Sequence, residues 1–94
     1  MLFSVFTLDN PDAIDKRKTV HSAHVAHLKN AKAFGVTITV GGPLVSDDGD
    51  TSIGSLMILE ASDRASAEKF NRADPFYQNG VWGKVEIKRF DRKE

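Results

Sequence analysis

The amino-acid sequence predicts an α+β fold in which strands and helices alternate in the order βαββαβ. Four segments are rich in β-branched and aromatic residues, which favour strands. Two other segments repeat apolar residues every three or four positions, the spacing of helices that pack on a core. Turn-forming glycine, proline and aspartate residues separate the segments.

The first predicted strand is Leu2–Leu8, and both of its faces are largely apolar. A strand of this kind is usually covered on both sides of the sheet. Turn residues 9–12 follow, and a long helix is predicted from residue 12 or 13 to Phe34. Gly35 is expected to end this helix, because glycine adopts the left-handed backbone of a helix C-terminus easily.

The middle of the chain predicts two strands joined by a wide hairpin. Val36–Val40 is β-branched throughout, and Ile53–Glu60 is apolar on both faces. Gly41-Gly42-Pro43 is expected to end the pairing of the first of these strands, since proline lacks the N–H group that a ladder uses. The polar residues 46–52 then form the connecting loop.

A second helix is predicted over roughly residues 63–73, with Ser62 or Asp63 as its N-cap. Asp74-Pro75 ends it, because a residue that precedes proline avoids the helical region. One further helical turn is predicted over residues 75–78.

The alternating segment Val85–Phe90 is the fourth predicted strand. The resulting order is the ferredoxin-like plan, an antiparallel sheet with both helices on one face, within a single domain of residues 1–94. Because the first and third strands are apolar on both faces, we expect a second copy of the chain to cover the other face. The prediction is a homodimeric α+β barrel. The alternative is a monomer with scattered exposed apolar residues.

The composition excludes several classes of function. Lysine plus arginine and aspartate plus glutamate number 13 each, so the net charge is zero and no attraction to nucleic acid or to a membrane surface is expected. The chain has no cysteine, which excludes disulfides and a thiolate nucleophile. Without a signal-peptide pattern or a long apolar run, the expected location is cytoplasmic.

The candidate site residues begin with the three histidines, all in the first predicted helix. Of His21, His24 and His27, His24 falls among the core-facing positions. Asp74 falls on the inner side of the second helix. A histidine beside a carboxylate can act as a general base. Periodicity alone does not show that the two residues meet, and a core histidine together with an Asp74 that caps the turn after it remains the alternative.

The spacing of the histidines argues against a metal site. Successive steps of three residues drift around a helix, so the outer two histidines diverge instead of converging on one ion. Gly41-Gly42-Pro43 opens no helix and carries no lysine, and so is not a phosphate loop. We therefore predict no metal and no cofactor. The alternative is a haem ligand on this helix, by analogy with other dimeric α+β barrels that hold haem. Phe76 and Trp82 could line a pocket for a ring-shaped ligand, although packing is their commoner role.

Several short motifs, taken together and in this order, resemble the YciI-like (YCII-related) domain family. They cover nearly the whole chain: Lys16-Arg17, Ala23-His24 with Leu28, Gly42-Pro43, Gly54-Ser55, Ala73-Asp74-Pro75-Phe76 and Gly80-Val81. The resemblance implies a ferredoxin-like dimeric α+β barrel. It also implies that His24 and Asp74 form an acid–base pair in a pocket of each subunit.

The same resemblance implies that Arg17 and Ser55 lie near the pair. Arg17 could clamp a substrate carboxylate or phenolate; its alternative role is a surface ion pair with Asp12 or Asp15. Ser55 could donate a hydrogen bond to the substrate. The sequence departs from the family pattern at His21, where relatives often have arginine. We expect His21 to contact the substrate and to bind an anion more weakly.

The function predicted from these residues is that of a cofactor-free enzyme, lyase-like or hydrolase-like. It would act on a small, polar, aromatic or cyclic molecule. Some members of the family that the chain resembles, the chlorohydroxyquinol dehydrochlorinases, eliminate chloride from aromatic rings. The alternative is a non-catalytic dimeric module that binds a small molecule or supports a partner domain.

Overall fold

The computed structural model describes all residues 1–94 and contains one four-stranded antiparallel sheet with the order β2-β3-β1-β4. The strands are β1 (Leu2–Asp9), β2 (Val36–Val45), β3 (Ser52–Ala61) and β4 (Trp82–Phe90). The helices are α1 (Ile14–Lys29), α2 (Arg64–Arg72) and the single turn α3 (Pro75–Gln78). This order of elements confirms the predicted ferredoxin-like α+β fold.

The core lies between the helices and one face of the sheet. Val5 and Leu59 on the sheet are completely buried, and Ala67 and Phe70 of α2 are buried to the same extent. In the strand register, Val5 lies opposite Met57 and Phe3 lies opposite Leu59, so the buried side chains of β1 and β3 share one face.

The first helix is shorter than predicted. It ends at Lys29, and Asn30 leaves the helical region with φ −98° and ψ 17°. A separate 3-10 turn, Ala31–Phe34, follows and ends at Gly35, whose φ of 72° is left-handed as predicted. Asparagine is a weak helix former, and the tighter turn after it places Ala31 in the core.

The prediction that β2 stops before Gly41-Gly42-Pro43 was wrong. The strand continues to Val45 and pairs with β3 throughout, with a register shift between Ile38 and Val40. Because β2 is an edge strand, proline can occupy it with its nitrogen turned away from the ladder. The extra length of β2 forms one wall of the cleft described below.

Two aspartates begin the short helices, as the sequence predicted. Asp63 accepts a hydrogen bond from the Ser66 N–H at 2.8 Å, and this bond lowers the pKa of its carboxyl. Asp74 accepts one from the Phe76 N–H at 2.8 Å, with Pro75 as the first residue of α3. The second cap fixes Asp74 inside the fold, where it is completely buried.

The outer face of the sheet, on the side away from the core, carries a band of apolar side chains. The apolar residues of this outer face are Leu2, Phe6, Leu8, Val40, Leu44, Leu56, Ile58 and Phe90. Val40 is 59% exposed and Leu56 is 37% exposed.

No helix has the length and apolar character needed to cross a membrane.

Candidate active site

A cleft of about 620 Å³ opens between α1 and the strands β2 and β3. Its apolar lining consists of Ile14, Val25, Leu28, Ile38, Met57 and Phe76. Its polar lining includes Arg17, His24 and Ser55, with Lys18, His21 and Asp50 also among the lining residues. A hollow of this size, mostly apolar with a few convergent polar groups, is typical of small-molecule sites.

His24 and Asp74 meet beside this cleft. The His24 Nδ1 atom lies 2.8 Å from Asp74 Oδ1 and 2.9 Å from Oδ2. A carboxylate only accepts hydrogen bonds, so Nδ1 carries the hydrogen and Nε2 of the neutral ring is left unprotonated. The His24 side chain is 12% exposed and that of Asp74 is 1% exposed. The carboxylate is therefore shielded from solvent, whereas the imidazole is accessible from the cleft.

Aromatic side chains fix the plane of the His24 ring. It stacks on Phe76 with ring centroids 3.8 Å apart and planes 6° from parallel, while the Trp82 ring meets it edge-on at 6.2 Å. Phe76 is the residue whose N–H donates to Asp74 Oδ1. One residue of α3 therefore orients both members of the pair.

Arg17 makes a buried ion pair with a residue that sequence reasoning missed. Its Nε donates to Asp9 Oδ2 at 2.6 Å, so neither Asp12 nor Asp15 is its partner. Its Nη2 donates to the Gly54 carbonyl at 2.8 Å and to the Ser55 hydroxyl at 3.3 Å. The turn after β1 brings the end of that strand beside the first turn of α1. This short connection was the one feature of the sequence from which the Arg17–Asp9 contact could have been predicted.

Ser55 and Arg17 belong to one rigid corner of the cleft. Ser55 is buried on the inner face of β3, opposite Thr7 of β1. Gly54, the residue before it, leaves no room for a Cβ, which would overlap the Thr7 carbonyl oxygen. The Arg17 guanidinium also lies 4.8 Å from the centroid of the Phe76 ring. The structure thus brings Arg17 and Ser55 to the same cleft as His24.

The other two histidines have different surroundings. His21 is exposed and lines the cleft next to Lys18. His27 points away from the cleft and hydrogen-bonds the Phe70 carbonyl through Nε2 at 2.8 Å. Sequence reasoning gave His27 no role, since a backbone acceptor leaves no signal in the sequence.

Fold and cleft together define a class of protein: a ferredoxin-like α+β protein with a buried histidine–carboxylate contact beside a pocket of small-molecule size. The model of the YCII-related domain matches residues 1–91. The chain therefore belongs to the YCII-related domain family, which confirms the resemblance seen in its motifs.

Relatives match over almost the full length of the chain. Protein YciI of Escherichia coli O6:H1 is 30% identical over 96 residues, which cover 98% of this chain and 98% of that protein. A Haemophilus influenzae protein is 28% identical with the same coverage.

A solved structure is similar to the whole fold. It is the 5-chloro-2-hydroxyhydroquinone dehydrochlorinase of Burkholderia phenoliruptrix AC1100, in complex with 2,5-dihydroxybenzoquinone. It superposes with a TM-score of 0.86 at 30% identity, covering 99% of this chain and 96% of that one. This relative is an enzyme, and it binds a small ring compound.

Replacing Arg17 by methionine is expected to lower the free energy of unfolding by about 3 kcal/mol, because Asp9 then keeps a buried charge without its partner. The side chains of Arg17 and Asp9 are only 14% and 8% exposed. Urea unfolding followed by the fluorescence of Trp82, the one tryptophan of the chain, measures the change.

Lys18→Met is the matched control for this substitution. Lys18 is the adjacent cation on α1, exposed and without an ion pair, so we expect its loss to change stability by less than about 0.5 kcal/mol. Equal stability of the two variants would show that the Arg17–Asp9 pair does not stabilise the fold.

Proposed function

We propose that this protein is a cofactor-free enzyme that moves protons on a small, planar, hydroxylated ring. His24 is the general base and Asp74 is its partner. The observation that carries the proposal is the contact between His24 Nδ1 and the Asp74 carboxylate, at 2.8 Å and 2.9 Å. Asp74 occupies Nδ1, so the nitrogen left for a substrate at the cleft is the basic Nε2.

Asp74 has two roles in this reaction. Its carboxylate holds the imidazole in the tautomer that can accept a proton at Nε2. It also stabilises the positive charge that the ring gains when it does so. The Phe76 stack keeps the ring from rotating out of this orientation.

The cleft favours a flat substrate with hydroxyl or phenolate groups. Its apolar lining and the Phe76 ring suit a planar ring. Arg17 uses Nε and Nη2 for protein acceptors, and its Nη1 donors remain for a substrate oxygen. The Ser55 hydroxyl accepts a hydrogen bond from Arg17 and can donate its own hydrogen to the substrate. His21, which is exposed, contacts the part of the substrate nearest to solvent.

The dehydrochlorinase relative suggests the reaction to examine first. Loss of a hydroxyl proton to His24 raises the electron density of a chlorinated hydroquinone ring. The imidazolium returns a proton to the carbon that bears chlorine. Chloride then leaves with the electron pair of the C–Cl bond as a second hydroxyl proton is lost. The net change is release of one proton and one chloride, with formation of a quinone.

His24→Ala is expected to lower kcat for this elimination by about 10²–10⁴-fold, the usual contribution of a general base. Asp74→Asn is expected to lower kcat as well, because an amide can present its N–H to Nδ1 and favour the wrong tautomer. Chloride release and quinone absorbance, measured with 5-chloro-2-hydroxyhydroquinone and related chlorinated hydroquinones, check both expectations.

The control is Lys29→Met, an exposed substitution in the last turn of the same helix, which is expected to leave kcat unchanged. Unchanged turnover in a folded His24→Ala protein contradicts the proposal. Binding of these compounds in the cleft without any turnover would instead support the alternative, a non-catalytic binding module.

We also propose that the protein is a homodimer that pairs through the outer face. Eight apolar side chains form this face, seven on β1, β2 and β3 and Phe90 on β4. The other residues that β4 adds to this face are charged: Lys84, Glu86 and Lys88. An apolar patch of this extent, with a polar border, is typical of an association surface. A two-fold axis allows the same patch to cover itself.

Leu56→Lys is expected to convert the dimer into a monomer, because it places a charge at the middle of the outer face. Sedimentation equilibrium should give twice the 10.4-kDa chain mass for the unaltered protein and the single mass for the variant. Tyr77→Lys, which replaces a 42% exposed side chain on α3, is the control and is expected to remain dimeric. A single-chain mass for the unaltered protein would contradict the dimer.

A further inference from the structure

His27 lies one helical turn after His24 and has an opposite arrangement of hydrogen bonds. Its Nε2 lies 2.8 Å from the Phe70 carbonyl oxygen, which can only accept, so Nε2 carries the hydrogen. Its ring stacks on the Phe70 ring with centroids 4.5 Å apart and planes 17° from parallel. Phe34 meets the same ring edge-on at 5.3 Å. His27 is therefore fixed as firmly as His24, although it does not line the cleft.

The Phe70 carbonyl is one of the groups that a helix C-terminus leaves without a backbone partner. The N–H groups of Ala73 and Asp74, which follow α2, donate instead to the carbonyls of Lys69 and Asn71. His27 supplies the donor that the Phe70 carbonyl would otherwise lack. An imidazole near the C-terminus also interacts favourably with the negative end of the helix dipole when it is charged.

The segment concerned is the α2–α3 corner, residues 70–74, which ends at Asp74. Its one other buried polar side chain, Asn71, has an Nδ2 atom without a hydrogen-bond acceptor. Pro75 prevents α2 from continuing through the corner. The corner therefore depends on contacts from outside itself, and α1 provides one at each end. His27 bonds the first residue of the corner and His24 bonds the last.

We propose that His27 is a positioning residue that anchors the α2–α3 corner to α1 and thereby holds the Asp74 carboxylate against His24 Nδ1. The effect of His27 on catalysis rests on the proposed function, whereas its structural role at the corner does not. Without the His27 donor, the end of α2 loses its hydrogen bond to α1. The two distances from His24 Nδ1 to the carboxylate oxygens then fluctuate more.

The experiment is nuclear magnetic resonance of the ¹⁵N-labelled protein, with ring nitrogens read in long-range ¹H–¹⁵N spectra. In the unaltered protein we expect hydrogen on Nδ1 of His24 and on Nε2 of His27. In His27→Phe, which keeps a ring on Phe70 and loses the donor, exchange of the His24 Nδ1 hydrogen with water is expected to rise about tenfold. His27→Gln, which restores an N–H donor, is expected to recover part of the protection.

The control is Ser22→Phe, which places the same ring at an exposed position of α1 outside the cleft lining and without a side-chain hydrogen bond. It is expected to leave the exchange rate unchanged. An unchanged rate in folded His27→Phe, or a His27 with hydrogen on Nδ1 alone, overturns the proposal.

If His27→Phe does not fold, the unaltered protein decides the question. A scalar coupling across the hydrogen bond between His27 Nε2 and the Phe70 carbonyl carbon supports the anchor, and its absence overturns it. These readouts need no substrate. Failure to find any turnover would therefore leave the anchor intact, whereas loss of the anchor would appear in the spectra.

Discussion

The hydrogen bond between His24 Nδ1 and the Asp74 carboxylate is the contact on which the rest of the cleft depends. Asp74 is completely buried, and a buried carboxylate is stable only when donors surround it. Here the donors are the imidazole and the Phe76 N–H. The same bonds join α1 to α3, so the contact that orients the proposed base also closes the fold around it.

Phe76 joins His24 and Arg17, two of the polar groups of the cleft, into one rigid unit. Its ring stacks on the His24 imidazole and lies beneath the Arg17 guanidinium, and Arg17 is tied to Asp9 at the end of β1. Arg17 and His24 are therefore held by helices and strands instead of mobile loops. A site held in this way is organised before a substrate binds, as the proposed general-base catalysis would require.

The order of elements was predictable because apolar periodicity and turn residues are local signals. The end of α1 at Lys29 and the continuation of β2 through Pro43 were not, since both depend on tertiary contacts. Sequence periodicity placed His24 and Asp74 on inner faces, but their pairing came from the family resemblance. The acceptor of His27 left no comparable signal, because a backbone carbonyl is recognised only in three dimensions. For the partner of Arg17 the sequence offered only the nearness of the end of β1 to the first turn of α1.

The most direct test of the central claim is a crystal structure of the protein soaked with 2,5-dihydroxybenzoquinone, the compound bound to the dehydrochlorinase relative. Our account predicts the ring in the cleft, with one of its oxygen atoms within hydrogen-bonding distance of His24 Nε2 and Asp74 still bonded to Nδ1. An imidazole turned so that Nε2 faces Asp74, or a compound bound away from His24, would contradict it.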